Sequence, residues 1–273
     1  LKVFIHIPKT AGTTMIDILS RQIYFKKFRR VNPTRNTHPK EFLSKVEGLL
    51  DKELLAQENF EIIGGHFGFK AHPELSNPED HFTILRDPVE RVISEYYFMK
   101  YKGMYYQDLI EGENLSLLDY LHHPETTYLN NLQTRLISGE KYETGELVTQ
   151  EMYEKALSHL EAFKAIGITE NMKDSIALFY QKFGWKRIPY YLTSNSNEQK
   201  THRTEIPEST IKAIEEREKF DIQLYQQALE IFQKEVDKQQ SKLKIIKKQM
   251  GNQGITYKIY LKILSKIMHS RLV

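Results

Sequence analysis

Residues 3–16 read Val3-Phe4-Ile5-His6-Ile7-Pro8-Lys9-Thr10-Ala11-Gly12-Thr13-Thr14-Met15-Ile16. A β-branched run passes through a short loop with one glycine into a stretch whose Met15, Ile16, Leu19 and Ile23 recur at helical spacing. The pattern predicts a buried strand, a loop and a helix starting near Thr13. The first turn of such a helix presents unpaired N–H groups and the positive end of its dipole, which favours anions. Thr13 and Thr14 add hydroxyl donors, Gly12 allows close backbone approach, and Lys9 brings a mobile charge. This is not a Walker A loop, whose lysine follows the second glycine, and no G-x-G-x-x-G fingerprint is present. On spacing alone, an ordinary strand–helix turn capped by threonines stays open.

The same alternation continues outward. Strands are expected at Val3–Ile7, Glu61–Gly65, Phe82–Leu85, Ala165–Thr169 and Ile188–Thr193, with helices between them, which argues for an α/β fold on a parallel sheet. A second helix is expected from Pro39 to Ala56. The third has the clearest start: Asp87 as cap, Pro88 in the first helical position and Glu90 three residues after the cap. Arg86 therefore falls between a strand's carboxyl end and a helix N-terminus, where open α/β sheets bind ligands. Ser94, seven residues after Asp87, shares its helix face. Together Arg86 and Ser94 suit a phosphate; taken singly, each suits an ordinary surface role.

Residues 103–160 hold no evident strand and read as a helical insertion, with helices at Ser116–Leu121 and Asn130–Ser138. Ser194–Glu205 is a polar loop, and a helical pattern resumes from Pro207 to Phe232. Residues 1–237 are expected to form the catalytic domain, and 238–273 a basic amphipathic tail.

The 273 residues are 40% hydrophobic and 27% charged, a globular composition long enough for a substantial core. There is no cysteine, which excludes disulfides, zinc-thiolate sites, iron–sulfur clusters and a thiol nucleophile. The net charge of +3 belongs to the tail: residues 238–273 carry nine Lys/Arg and no acid, leaving 30 basic against 36 acidic groups elsewhere. A nucleic-acid groove is not expected, and any anion site in the body is local. No metal-ligand spacing is evident. No apolar run is long enough to span a bilayer.

The two motifs together resemble the sulfotransferase superfamily, whose donor is 3′-phosphoadenosine 5′-phosphosulfate (PAPS). Pro8 to Thr14 is similar to the family's 5′-phosphosulfate loop, and Arg86 with Ser94, behind Leu-Arg-Asp-Pro, to its 3′-phosphate pair. The branch most resembled contains the heparan sulfate 2-O- and 6-O-sulfotransferases. Gly64-Gly65-His66-Phe67-Gly68-Phe69 resembles the segment carrying the catalytic histidine of the 2-O enzymes. Asn131–Ser138 and Ile166–Asn171 resemble two further shared units.

The resemblance implies a P-loop-NTPase-like central parallel sheet flanked by helices, with the insertion on the acceptor side. It implies sulfo transfer from PAPS to a carbohydrate hydroxyl, without a metal. Lys9 and His66 would be catalytic, His66 as general base with an ordinary pKa near 6.5. Lys9, Thr10, Ala11, Gly12, Thr13, Thr14, Arg86, Ser94, Lys200, Thr201 and Arg203 would bind the donor. Asn131, Gln133 and Arg135 would contact the acceptor or merely pack. Two departures stand out: Gly64 replaces a second histidine of the 2-O enzymes, and the stapling cysteines of the secreted enzymes are absent. Both fit a bacterial or otherwise cytoplasmic relative. A cytoplasmic location is expected, although the chain opens at Leu1 and trimming of an anchor stays open. The tail is a candidate for peripheral membrane contact, for docking on the body or for an oligomer contact. A P-loop-like nucleotide kinase and a non-catalytic nucleotide- or glycan-binding protein remain the alternatives.

Overall fold

The computed structural model describes residues 1–23, 27–31, 45–51, 60–101, 105–140, 146–191, 203–251 and 263. Five parallel strands form one sheet: β1 (Lys2–Ile5), β2 (Phe28–Val31), β3 (Ile62–Gly65), β4 (His81–Leu85) and β5 (Ala165–Ile168), in the order β2-β3-β1-β4-β5. In the central strand, Ile5 pairs with Gly65 on one side and Thr83 on the other. Thr83 also donates its hydroxyl to the Ile5 carbonyl at 2.8 Å, pinning β1 to β4.

Because side chains alternate along a strand, the sheet feeds two cores. Phe4, Phe82 and Ile84 point toward α1 (Gly12–Gln22), where Met15, Ile18 and Leu19 are fully buried. The same core includes Ile176, Ala177 and Phe179 of a helix at Met172–Phe183, and Leu243, Ile246 and Met250 of one at Gln240–Gly251. The opposite face, with Ile5 and Leu85, packs against α2 (Pro88–Tyr101) and against helices of residues 105–162 and 208–238. Each large apolar side chain so buried contributes about 1.5–3 kcal/mol. The result is a three-layer α/β/α arrangement.

Four of the expected strands form, each within a residue or two of the expected bounds. Ile188–Thr193 does not extend the sheet: Ile188–Tyr191 is irregular, and 192–193 lie outside the described residues. Pro189 lacks the N–H a ladder needs, and the Tyr190 carbonyl instead accepts from Arg21 Nη2 at 2.6 Å. Conversely, Phe28–Val31 forms an edge strand that its Arg29-Arg30 centre disguised. Of the expected helix at 39–56, residues 45–51 are helical and the rest lies outside the described residues.

Residues 105–162 are helical throughout their regular elements: Tyr105–Gly112, Leu117–His122, α3 (Leu132–Ser138) and Gln150–Ala162, with a 3₁₀ turn at Pro124–Leu129. The pattern after Pro207 divides into α4 (Glu208–Arg217) and α5 (Lys219–Lys238), with Glu218 fully buried at the break. Of the basic tail expected at 238–273, the residues after 251 lie outside the described residues except Ile263. Among the described residues, no helix is long and apolar enough to cross a membrane.

Candidate functional site

The strand order reverses around β1: the chain lays down β2 and β3 on one side, then β4 and β5 on the other. Open α/β sheets bind ligands in the crevice at the strands' carboxyl ends where such a switch occurs. The ends of β1, β3 and β4 carry the Lys9–Thr14 loop, His66 and Arg86.

The loop is strained in a specific way. Lys9 and Ala11 both occupy the left-handed region, with φ of +68° and +62°, although neither is glycine. Left-handed residues alternating with ordinary ones turn successive N–H groups toward one point, the geometry of an anion-binding nest. Ala11 caps α1 without a side-chain hydrogen bond, and no acidic residue stands in the first turn. Thr13 is exposed and Thr14 half-buried, and neither hydroxyl bonds to another described residue. Thr10 differs: it is buried and donates its hydroxyl to the Ile7 carbonyl at 2.9 Å, shaping the loop from inside. Lys9 Nζ rests 3.9 Å from the centroid of the Phe98 ring on α2.

Gly12 is required for a reason the sequence did not disclose. A Cβ there would lie 1.6 Å from His6 Nε2. The His6 ring fills the space beneath the start of α1, stacked 5.8 Å from Phe4 and 4.0 Å from His66.

His66 follows β3 and is half-buried. Its Nδ1 lies 2.7 Å from the His6 carbonyl. A carbonyl only accepts, so Nδ1 carries the proton and Nε2 keeps its lone pair when the ring is neutral. Burial, with the charges of Arg30 and Lys9, lowers the His66 pKa to about 4 despite that hydrogen bond. The ring is therefore neutral well below pH 7, instead of titrating near 6.5. A side chain at Gly64 would be crowded, its Cβ 3.0 Å from that of Phe4. The imidazole that accompanies His66 is instead His6, the residue after β1.

Arg86 joins the two sequence motifs. Its Nη1 donates to the Lys9 carbonyl at 3.1 Å, while Nη2 faces Glu90 at 3.5 Å and Nε faces Glu170 at 4.0 Å. Nε is buried without a hydrogen-bond partner. Asp87 caps α2 as expected, accepting from the Glu90 N–H at 2.9 Å. Glu90 does not return the bond; the Asp87 N–H goes to Glu170 at 3.2 Å. Ser94, two turns into α2, is half-buried with no side-chain hydrogen bond to the described residues.

Asn131, Gln133 and Arg135 are buried and serve the fold, which settles their reading toward packing. Gln133 brackets the Arg86 peptide, accepting from its N–H and donating to its carbonyl, both at 3.0 Å. Asn131 Oδ1 accepts from the Phe220 and Asp221 N–H groups, and Arg135 Nε donates to the Asn130 carbonyl. Arg203 pairs with Glu215 of α4 at 3.0 Å, and Lys200 and Thr201 lie outside the described residues. Among the described residues, no group of three or more His, Asp or Glu is placed to hold a metal ion.

Residues 3–237 match the sulfotransferase family. The chain belongs to the sulfotransferase family. Its similarity to individual members is low: it is 22% identical over 247 residues to heparin sulfate O-sulfotransferase of Drosophila melanogaster, covering 83% of this chain and 70% of that protein. It is 27% identical over 180 residues to heparan-sulfate 6-O-sulfotransferase 1 of Homo sapiens, covering 56% of this chain and 43% of the human protein. The match thus spans less than half of the 6-O-sulfotransferases. The sulfotransferase match includes both motifs, His66 and the helices that buttress Arg86.

Proposed function

We propose that this sulfotransferase moves the sulfo group of PAPS to a hydroxyl of a carbohydrate in the cytoplasm. The observation that carries the reading is the hydrogen bond from Arg86 to the Lys9 carbonyl, which unites the loop and the arginine into one anion site at the switch point. The residues there fit the donor: uncapped amides and unbonded Thr13 and Thr14 hydroxyls for one phosphate, a buried Arg86 Nε and the Ser94 hydroxyl for the other. A 3′-phosphate bound by Arg86 and Ser94 distinguishes this donor from ATP.

The donor supplies an activated sulfo group: the bond from sulfur to the 5′-phosphate oxygen breaks as the acceptor oxygen bonds to sulfur. Lys9 neutralises charge gathering on the departing oxygen, and the loop amides hold the phosphate in line. His66 takes the acceptor's hydroxyl proton on Nε2, its orientation fixed by the Nδ1 bond to the His6 carbonyl. The curated relatives' names point to a glycan acceptor for this chain too.

The test is sulfo transfer from labelled PAPS to a polysaccharide panel. His66→Ala is expected to lower kcat by about 10²–10⁴ while leaving donor affinity within about twofold. The base works only when unprotonated, and its value of about 4 means the acid limb of kcat/KM falls toward pH 4. Full rate in His66→Ala contradicts this role.

A further inference from the structure

The segment Ile166–Asn171 carries a carboxylate, Glu170, that the donor site does not use. It sits in the 3₁₀ turn Thr169–Asn171, directly after β5. Thr169 Oγ1 donates to the Leu85 carbonyl at 3.0 Å, which pins that turn to the end of β4, one residue before Arg86. Glu170 is then held from two further sides. One oxygen, Oε1, accepts from the Asp87 N–H at 3.2 Å, and Oε2 accepts from the Tyr225 hydroxyl of α5 at 2.8 Å.

A carboxylate beside an arginine that takes a phosphate needs a reason, because it competes for the same N–H groups. Burial makes the Arg86 charge costly, and Glu170 offsets more of that cost than Glu90 or Asp87. Yet Glu170 stops 4.0 Å from Arg86 Nε, and Nε is buried without a hydrogen-bond partner. Charge-assisted N–H···O bonds run at about 2.7–2.9 Å. With both oxygens engaged elsewhere, the carboxylate stays near enough to neutralise the guanidinium and too far to occupy its N–H. An oxyanion arriving at Nε therefore gains a hydrogen bond that Glu170 does not make. Glu90 differs: it reaches Nη2 at 3.5 Å along its own helix and has no second side-chain anchor among the described residues.

We propose that Glu170 is a positioning residue of the donor site, a tethered counter-ion that holds Arg86 ready in the empty site and yields it to the 3′-phosphate. The inference rests on the sulfo-transfer reading. It adds that repulsion between this fixed carboxylate and the 3′-phosphate limits how tightly the site keeps the bisphosphate left after transfer. With 39% of its side chain exposed, Glu170 acts through a screened field, so the effect is several-fold.

The experiment measures, by calorimetry, binding of adenosine 3′,5′-bisphosphate and of adenosine 5′-monophosphate, which lacks only the 3′-phosphate. Glu170→Gln removes the charge and keeps both anchors, since the Tyr225 hydroxyl accepts from an amide as readily as it donates to a carboxylate. This variant is expected to bind the bisphosphate about 3- to 10-fold more tightly than wild type. Tyr225→Phe is expected to act in the opposite direction. Freed from the hydroxyl, Glu170 moves onto Arg86 Nε, and bisphosphate affinity falls about 2- to 5-fold. The monophosphate is expected to change by less than about twofold in either variant, or to bind none of the proteins. A purely structural role would instead weaken both nucleotides in both variants. Unchanged or weaker bisphosphate binding in Glu170→Gln overturns the proposal, as does equal tightening for the monophosphate. So does a Tyr225→Phe protein that binds the bisphosphate as well as wild type, and this variant decides alone if Glu170→Gln fails to fold. Wild type that binds no bisphosphate defeats the sulfo-transfer reading and this inference with it, whereas binding indifferent to Glu170 defeats the inference only.

Discussion

Two polar regions of this protein follow opposite rules. Between α2, α3 and α5 lies a wholly buried cluster in which charges answer one another. Arg91 stands 2.9 Å from Glu95 and 3.6 Å from Glu218. Asp221 accepts from the Gln133 N–H at 3.1 Å and from the Thr134 N–H and hydroxyl at 2.7 and 2.8 Å, capping α3 from α5. Asn131 returns the service at the start of α5, and its own N–H goes to Glu218 at 2.9 Å. Even so, burial raises Glu218 to about 7. At the carboxyl ends of β1, β3 and β4 the polar groups are instead left open: the unbonded hydroxyls of Thr13, Thr14 and Ser94 and a helix start without a side-chain cap. The first region spends its polarity on the fold; the second keeps it for ligands. Gln133 links them, since the helix held by Asp221 clamps the Arg86 peptide.

Three substitutions probe this contrast. The largest effect is expected from Arg91→Met, which leaves Glu95 buried without its cation and Glu218 with only Arg217 at 3.8 Å, and lowers unfolding free energy by about 3–5 kcal/mol in urea titration. A loss below about 1 kcal/mol would show the cluster to be dispensable. Next comes Gly12→Ala, whose new methyl collides with His6 and costs about 1–3 kcal/mol. Pairing it with His6→Ala is expected to recover much of that cost, because the two sites share one contact. Strict additivity would refute the steric account. The smallest effect on stability, within about 0.5 kcal/mol, is expected from replacing Thr13 and Thr14 together with alanine. Nucleotide affinity should nevertheless fall at least tenfold, each lost bond to a phosphate being worth about 1.5–3 kcal/mol.

The same contrast explains what could be read from sequence. Strands buried on both faces, such as Ile62–Gly65 and Phe82–Leu85, declare themselves as apolar runs, and Asp87-Pro88 announces α2 through local chemistry. The edge strand Phe28–Val31 does not, because one side of it needs no apolar neighbour and its two arginines imitate a solvated loop. The loop and Arg86 were legible because their chemistry is local. His6 was not, since its stacking on His66 joins residues 60 apart in the chain. Asn131, Gln133 and Arg135 left two readings open for the converse reason: polar side chains that cap helices across the core look the same in sequence as side chains that face a ligand.

The most direct test is calorimetric titration with adenosine 3′,5′-bisphosphate and, separately, ADP, on wild type and on Arg86→Ala. The account predicts tight binding of the 3′-phosphorylated nucleotide, a much weaker response to ADP, and loss of that preference in the variant. Equal or stronger binding of ADP by wild type would contradict the donor site and leave the nucleotide kinase as the better reading.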